Sequence, residues 1–153
     1  MSTTDRIEKQ IELKAPVSRV WKALTDYRQF GEWFGVQLEG PFVPGETTQG
    51  PATYSDCGQK LIQMRVQTIE PERLFAYHWS YTTDSAKDHS KETPTLVEFR
   101  LEATATGTRL TVIETGFDKL PAEHRDEAFR KHTEGWAGQM DNIARYLLSP
   151  QKA

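Results

Sequence analysis

From Phe129 onward, apolar and aromatic residues return every three or four positions: Phe129, His132, Trp136, Met140, Ile143 and Leu147. That spacing lines side chains along one face of an α-helix. The helix is expected to begin at Pro121, with Glu123, Asp126 and Glu127 suiting the positive end of its dipole, and to stop near Ser149-Pro150. So long an apolar stripe needs a broad apolar surface to lie on, and a sheet is the only one the rest of the chain can supply.

Before that helix the hydrophobic period drops to two, which predicts seven strands: Arg6–Leu13, Val36–Glu39, Thr47–Ser55, Lys60–Ile69, Arg73–Thr82, Thr95–Ala103 and Arg109–Thr115. Turn residues at Glu70-Pro71 and Thr106-Gly107 make the long neighbours antiparallel hairpins. The polar, aperiodic stretch Thr83–Pro94 is expected to be a mobile loop at one end of the sheet. Between the first two strands, Pro16 followed by Val17, Val20, Trp21 and Leu24 predicts a short helix. Asp26 then caps a second one running to Trp33 and Phe34. The expected fold is a single α+β domain, a curved seven-stranded antiparallel sheet wrapped around a long C-terminal helix, with two short helices after strand one.

Composition narrows the function. The 153 residues make one ordinary domain, and 19 Lys+Arg against 22 Asp+Glu, interspersed, give a net charge of −3 that disfavours nucleic acid. No apolar run approaches the roughly 18 residues of a membrane span, and Ser-Thr-Thr-Asp-Arg after Met1 offers no signal-peptide core, so a cytoplasmic protein is expected. The lone Cys57 cannot form an internal disulfide, and the four histidines show no ligand spacing. Neither a phosphate-binding glycine loop nor a nucleophile elbow is present. The expectation is therefore no metal and no cofactor.

Pairing arithmetic from the Pro71-Glu72 turn sets Val66 against Tyr77, Met64 against Trp79 and Ile62 against Tyr81. Alternation then carries one inner face through Val97, Phe99 and Leu101 to Leu110, Val112 and Glu114, with His78 outward. Glu114 is the odd member. A carboxylate in an apolar wall needs hydrogen bonds or neutrality, and burial is expected to raise its pKa. Two readings of it stay open: a contact for a ligand, with acid-base work as its chemical extension, or a structural role, either at the strand's end near water or as an anchor for Trp136, Tyr77 or a loop amide. Tyr77, Trp79 and Tyr81 read equally as a stacking wall for an aromatic guest and as core filling. His132 lies one helical turn before Trp136 and either points inward or packs at the edge, while Gly135 is expected to let the helix approach the sheet.

Several local motifs then fall in order: Ala15-Pro16-Val17-Ser18-Arg19-Val20-Trp21-Lys22-Ala23-Leu24-Thr25-Asp26, Trp33-Phe34, Pro44-Gly45, Ile69-Glu70-Pro71, Gly107-Thr108-Arg109-Leu110-Thr111, Glu114-Thr115-Gly116-Phe117 and Gly135-Trp136. With this element order the chain resembles the START-like (SRPBCC, birch-pollen-allergen-like or helix-grip) superfamily, in the bacterial branch named for homology to the activator of the heat-shock ATPase chaperone. The resemblance implies a hydrophobic cavity between sheet and helix with Trp33 and Phe34 near its mouth, and it leaves the activity open.

The ligand-contact candidates are therefore Trp33, Phe34, Met64, Tyr77, Trp79, Tyr81, Val97, Phe99, Val112, Glu114, Phe129, His132, Trp136 and Met140, with Glu114 the one catalytic candidate. Three function classes follow: a binding protein for a small apolar, aromatic or lipid-like molecule, a cyclase- or hydratase-type enzyme using Glu114, and a stress-related regulator that engages a chaperone partner through its surface. Either a monomer or a homodimer is compatible with the sequence.

Overall fold

The computed structural model describes residues 6–51, 61–82, 95–117 and 122–148, with the side chains of 61, 80–82, 122–128 and 148 outside that description. Strand β1 (Arg6–Leu13) leads into helices α1 (Val17–Thr25) and α2 (Tyr27–Phe34). Strands β2 (Thr47–Pro51), β3 (Leu61–Glu70), β4 (Leu74–Thr82), β5 (Thr95–Ala103) and β6 (Thr108–Thr115) follow, and helix α3 (Ala122–Leu148) closes the order. The strands form one open antiparallel sheet in the order β1-β6-β5-β4-β3-β2. The first and last strands in sequence are thus neighbours, and β1 lies against α3.

Six strands are present among the described residues where seven were expected. The missing one is Val36–Glu39, which alternates correctly, with Val36 and Leu38 buried and Gln37 and Glu39 exposed. It makes only two backbone hydrogen bonds to the edge strand, from Gln37 N–H to the Pro51 carbonyl and from Glu39 N–H to that of Gln49, both 2.9 Å. The stretch is cut short between the left-handed Gly35 (φ 93°) that ends α2 and the Gly40-Pro41 turn, so no ladder develops. It passes so close to β2 that a Cβ on Gly50 would lie 1.9 Å from the Gln37 carbonyl oxygen, which leaves glycine as the residue that fits.

Pro16 is the N-cap of α1 and not its first turn, whereas Asp26 caps α2 as its sequence predicts, its carboxylate accepting from Arg28 N–H at 2.9 Å and Gln29 N–H at 3.5 Å. The β3–β4 register holds Val66 against Tyr77, Met64 against Trp79 and Ile62 against Tyr81. It reaches that register by a different route. Glu70 pairs with Leu74 across a three-residue turn, and a bulge between Val66 and Thr68 removes the extra residue. Two offsets of one residue cancel, so the faces beyond the bulge alternate as a tight turn alone would have set them.

The core lies between the sheet's inner face and the helices. Ile62, Met64, Val66, Phe75, Tyr77, Val97, Phe99, Leu110 and Val112 come from the sheet. Facing them are Leu24 of α1, Phe30, Trp33 and Phe34 of α2, and Trp136, Met140 and Ile143 of α3. Gly135 does not mediate the approach of α3 to the sheet: it is exposed, and a Cβ there would meet nothing within 4 Å. One residue before Trp136 the helical turn has already rotated the side-chain position to solvent. No helix among the described residues is long and apolar enough to cross a membrane. Cys57, His89, the Thr83–Pro94 segment and the 52–55 end of the predicted third strand lie outside the described residues.

Candidate functional site

The sheet brings Glu114 into a row that runs from Ile7 of β1 through Glu114 of β6 and Val97 of β5 to Tyr77 of β4 and Val66 of β3. Four of these five positions are apolar or aromatic, and all are buried, so the carboxylate of Glu114 sits in a wall that excludes water. Left alone, a charge there would be driven neutral. It is not left alone.

Four side chains converge on it. The Trp136 Nε1–H donates to Oε1 at 2.7 Å, the Trp79 Nε1–H donates to Oε2 at 2.9 Å, and the Thr95 hydroxyl donates to Oε2 at 2.5 Å. His132 Nδ1 lies 2.9 Å from Oε1 and 2.8 Å from Oε2. The four come from three elements: Trp79 from β4, Thr95 from the start of β5, and His132 and Trp136 from α3, where a separation of four residues puts both on one face. The cluster therefore pins the long helix to the centre of the sheet by polar bonds inside an apolar seam.

These contacts reverse the expected direction of the Glu114 pKa. Burial pushes the carboxyl up, but the hydrogen bond and charge of His132, with the Thr95 hydroxyl and the Trp79 indole, outweigh it and hold the carboxyl below its usual 4.5. Glu114 is thus an ionised, hydrogen-bonded anion whose lone pairs are spent on four donors. The site is closed to water at the Glu114 end, where the side chain is 0% exposed, and opens slightly at His132, at 13%.

Around the cluster the rings touch one another. Trp79 lies 5.7 Å from Trp136, 5.8 Å from the His132 ring and 5.6 Å from Phe34. Phe99 lies 5.6 Å from Trp136, and Phe117 bridges Phe129 and His132 at 5.4 Å each. Among the expected ligand contacts, Phe34, Trp79, Tyr77, Phe99, Glu114, His132 and Trp136 are thus drawn into one connected group. Val97, Val112, Met64 and Met140 are buried beside them.

Trp33 and Phe34, both expected near a mouth, are both buried in the ring cluster, and the Trp33 indole donates to the Ala23 carbonyl at 2.8 Å, tying α2 to α1. The Tyr81 side chain lies outside the described residues. Two surface depressions are lined by described residues, one by Arg73, Arg100 and Arg109 with their neighbours on the outer face and one by residues 14–17 with 103–107. Neither includes any of the expected ligand contacts. Among the described residues no three His, Cys, Asp or Glu side chains gather as metal ligands would.

Residues 14–148 match the model of the family described as Activator of Hsp90 ATPase homolog 1-like protein. The chain belongs to that family. Its place in the START-like superfamily follows, and solved structures of this architecture superpose on nearly all of it. DynU16, a protein of the dynemicin biosynthetic locus, is 26% identical with a TM-score of 0.75, covering 95% of this chain. This family member spans only 48% of the DynU16 chain. A protein from Arthrobacter aurescens is 22% identical with a TM-score of 0.80, over 97% of this chain and 89% of its own. CalU16 from Micromonospora echinospora is 20% identical with a TM-score of 0.63, over 93% and 74%. No curated protein matches the chain.

One member of the cluster, Thr95, is absent from the residues expected from sequence, although its alternation with Val97 and Phe99 points it to the inner face opposite Trp79. A hydroxyl at a position where its strand is otherwise apolar was the available signal. The donor role of Trp79 and Trp136 toward Glu114 depends on three strands and a helix meeting, which no single segment encodes.

Proposed function

We propose that this family member is a small-molecule binding protein that holds an apolar or aromatic guest on the inner face of its sheet beneath α3. The observation that carries the reading is the anchored carboxylate: four donors fix Glu114 at the centre of an aromatic wall, so the wall's shape and polarity are set before any guest arrives. Trp79, His132 and Phe129 are only partly buried while Tyr77, Val97 and Phe99 are fully so, which makes the Trp79–His132 end the route inward. Flat rings at 5 to 7 Å from one another offer stacking surfaces for a guest that parts them. The similarity to DynU16, from a biosynthetic locus, supports a setting of small-molecule chemistry.

Native mass spectrometry of the protein purified from its own host tests this. The expected spectrum carries a noncovalent adduct above the 17.5 kDa of the chain that disappears on denaturation. Bare polypeptide alone, from cells growing under several conditions, contradicts it.

The contact between Glu114 and His132 favours a second reading, acid-base catalysis on the bound guest. In that reading Glu114 keeps its charge and orients the imidazole, and His132 moves the proton, because a saturated carboxylate held below 4.5 is a poor proton donor near neutrality. Replacing Glu114 by Gln would then abolish turnover while leaving guest binding measurable. The outer face, with its exposed Arg109 bonded to Glu12 and Glu102, offers no comparable anchor among the described residues for a chaperone partner.

A further inference from the structure

One polar atom of the inner wall stands apart from the Glu114 cluster. The Tyr77 hydroxyl is fully buried and has no hydrogen-bond partner among the described residues. Its ring cannot turn to find one, because Phe75 at 5.4 Å, Trp79 and Phe99 at 6.1 Å and Phe30 at 6.4 Å hold it on several sides. An unpaired buried hydroxyl is unfavourable, and a phenylalanine would keep all four ring contacts without that cost.

The neighbouring acceptor is already used. Tyr77 pairs with Val97, which pairs with Glu114, so phenol and carboxylate share one inward row, yet the carboxylate's oxygens are taken by Trp79, Thr95, His132 and Trp136. Burial, and then the charge on Glu114, push the phenol well above its ordinary 10.0. It therefore remains protonated and remains a donor. The same negative charge disfavours an anionic guest beside it.

We infer that the guest of the inner face bears a neutral carbonyl oxygen on an apolar aromatic body, and that the Tyr77 hydroxyl donates to that oxygen. The inference rests on the binding reading above and adds the guest's chemistry to it. A donor waiting in an otherwise satisfied wall accounts for a tyrosine where packing alone asks for phenylalanine.

Two probes of nearly equal shape test it: acetylnaphthalene, which has the carbonyl, and ethylnaphthalene, which does not. Titration calorimetry is run with the wild-type protein and with Tyr77→Phe, together with urea unfolding of both without probe. The expected result is that Tyr77→Phe weakens acetylnaphthalene binding by roughly tenfold, the worth of one net hydrogen bond. Ethylnaphthalene binding should be unchanged, and the urea midpoint of the ligand-free variant should stay level or rise.

A fall in that midpoint would show that the hydroxyl already has a partner, such as a buried water, and would overturn the inference. Equal weakening of both probes, or of neither, overturns it too while the binding reading stands. If the wild-type protein takes up neither probe, the binding reading itself fails and takes the inference with it.

Discussion

Arg109 and Glu114 stand on the same strand, β6, and each is bonded to more than one partner, yet they face opposite ways. Arg109 reaches Glu12 at 2.8 Å and Glu102 at 3.0 Å on the outer face, where the three side chains are 43% to 69% exposed. Glu114 reaches Trp79, Thr95, His132 and Trp136 on the inner face, with no exposure at all. Water competes for every contact of the first group and for almost none of the second. Counting ion pairs would rank Arg109, with two, above Glu114, with one, and burial reverses the order: the inner set anchors the packed fold and centres the proposed site, the outer set is a solvated surface.

The comparison breaks first at Glu114. Replacing it by Ala leaves two indoles, a hydroxyl and an imidazole without their acceptor, and the expected loss is about 3–5 kcal/mol in urea unfolding. A loss comparable to that of a surface substitution would show that the cluster is not dry. Trp136→Phe removes one charge-assisted bond and some ring area while keeping the rest, and about 2–3 kcal/mol is expected.

Acid sharpens the contrast. Because the folded Glu114 carboxyl lies below its usual 4.5, its contribution is complete above that value and drains away as pH falls through the folded one. Stability curves of wild type and Glu114→Gln should therefore converge as the solution is acidified below about 4.5, the ordinary value for the unfolded chain. Parallel curves would mean that the carboxyl is not held ionised by its donors. Smallest of all is Arg109→Ala, for which no measurable change in unfolding midpoint is expected at moderate salt.

Much of this arrangement could be read from the chain before any coordinates. The three- and four-residue stripe from Phe129 to Leu147 located α3, and the period-two runs located β1, β5 and β6 to within a residue. The inner face followed from parity, and parity survives paired errors: the longer turn at Glu70 and the bulge after Val66 cancelled. Val36–Glu39 was misread because alternation reports burial, which it has, and not ladder length, which Gly35 and Pro41 curtail. Burial taken by itself also points the Glu114 pKa the wrong way. Burial is visible in a sequence pattern, whereas Thr95, Trp79, Trp136 and His132 converge on Glu114 only when β4, β5 and α3 are packed.

The indole N–H resonances of Trp79 and Trp136 give the most direct view of whether the inner face is where a guest is held. Both protons point at Glu114, and neither can ignore an aromatic molecule arriving beside it. In a nitrogen-15 NMR titration with a naphthalene-bodied probe, the account predicts that these two signals shift together and saturably, while the Arg109 side-chain signal on the outer face stays still. Saturable shifts confined to the outer face, with both indole signals unmoved, would contradict it.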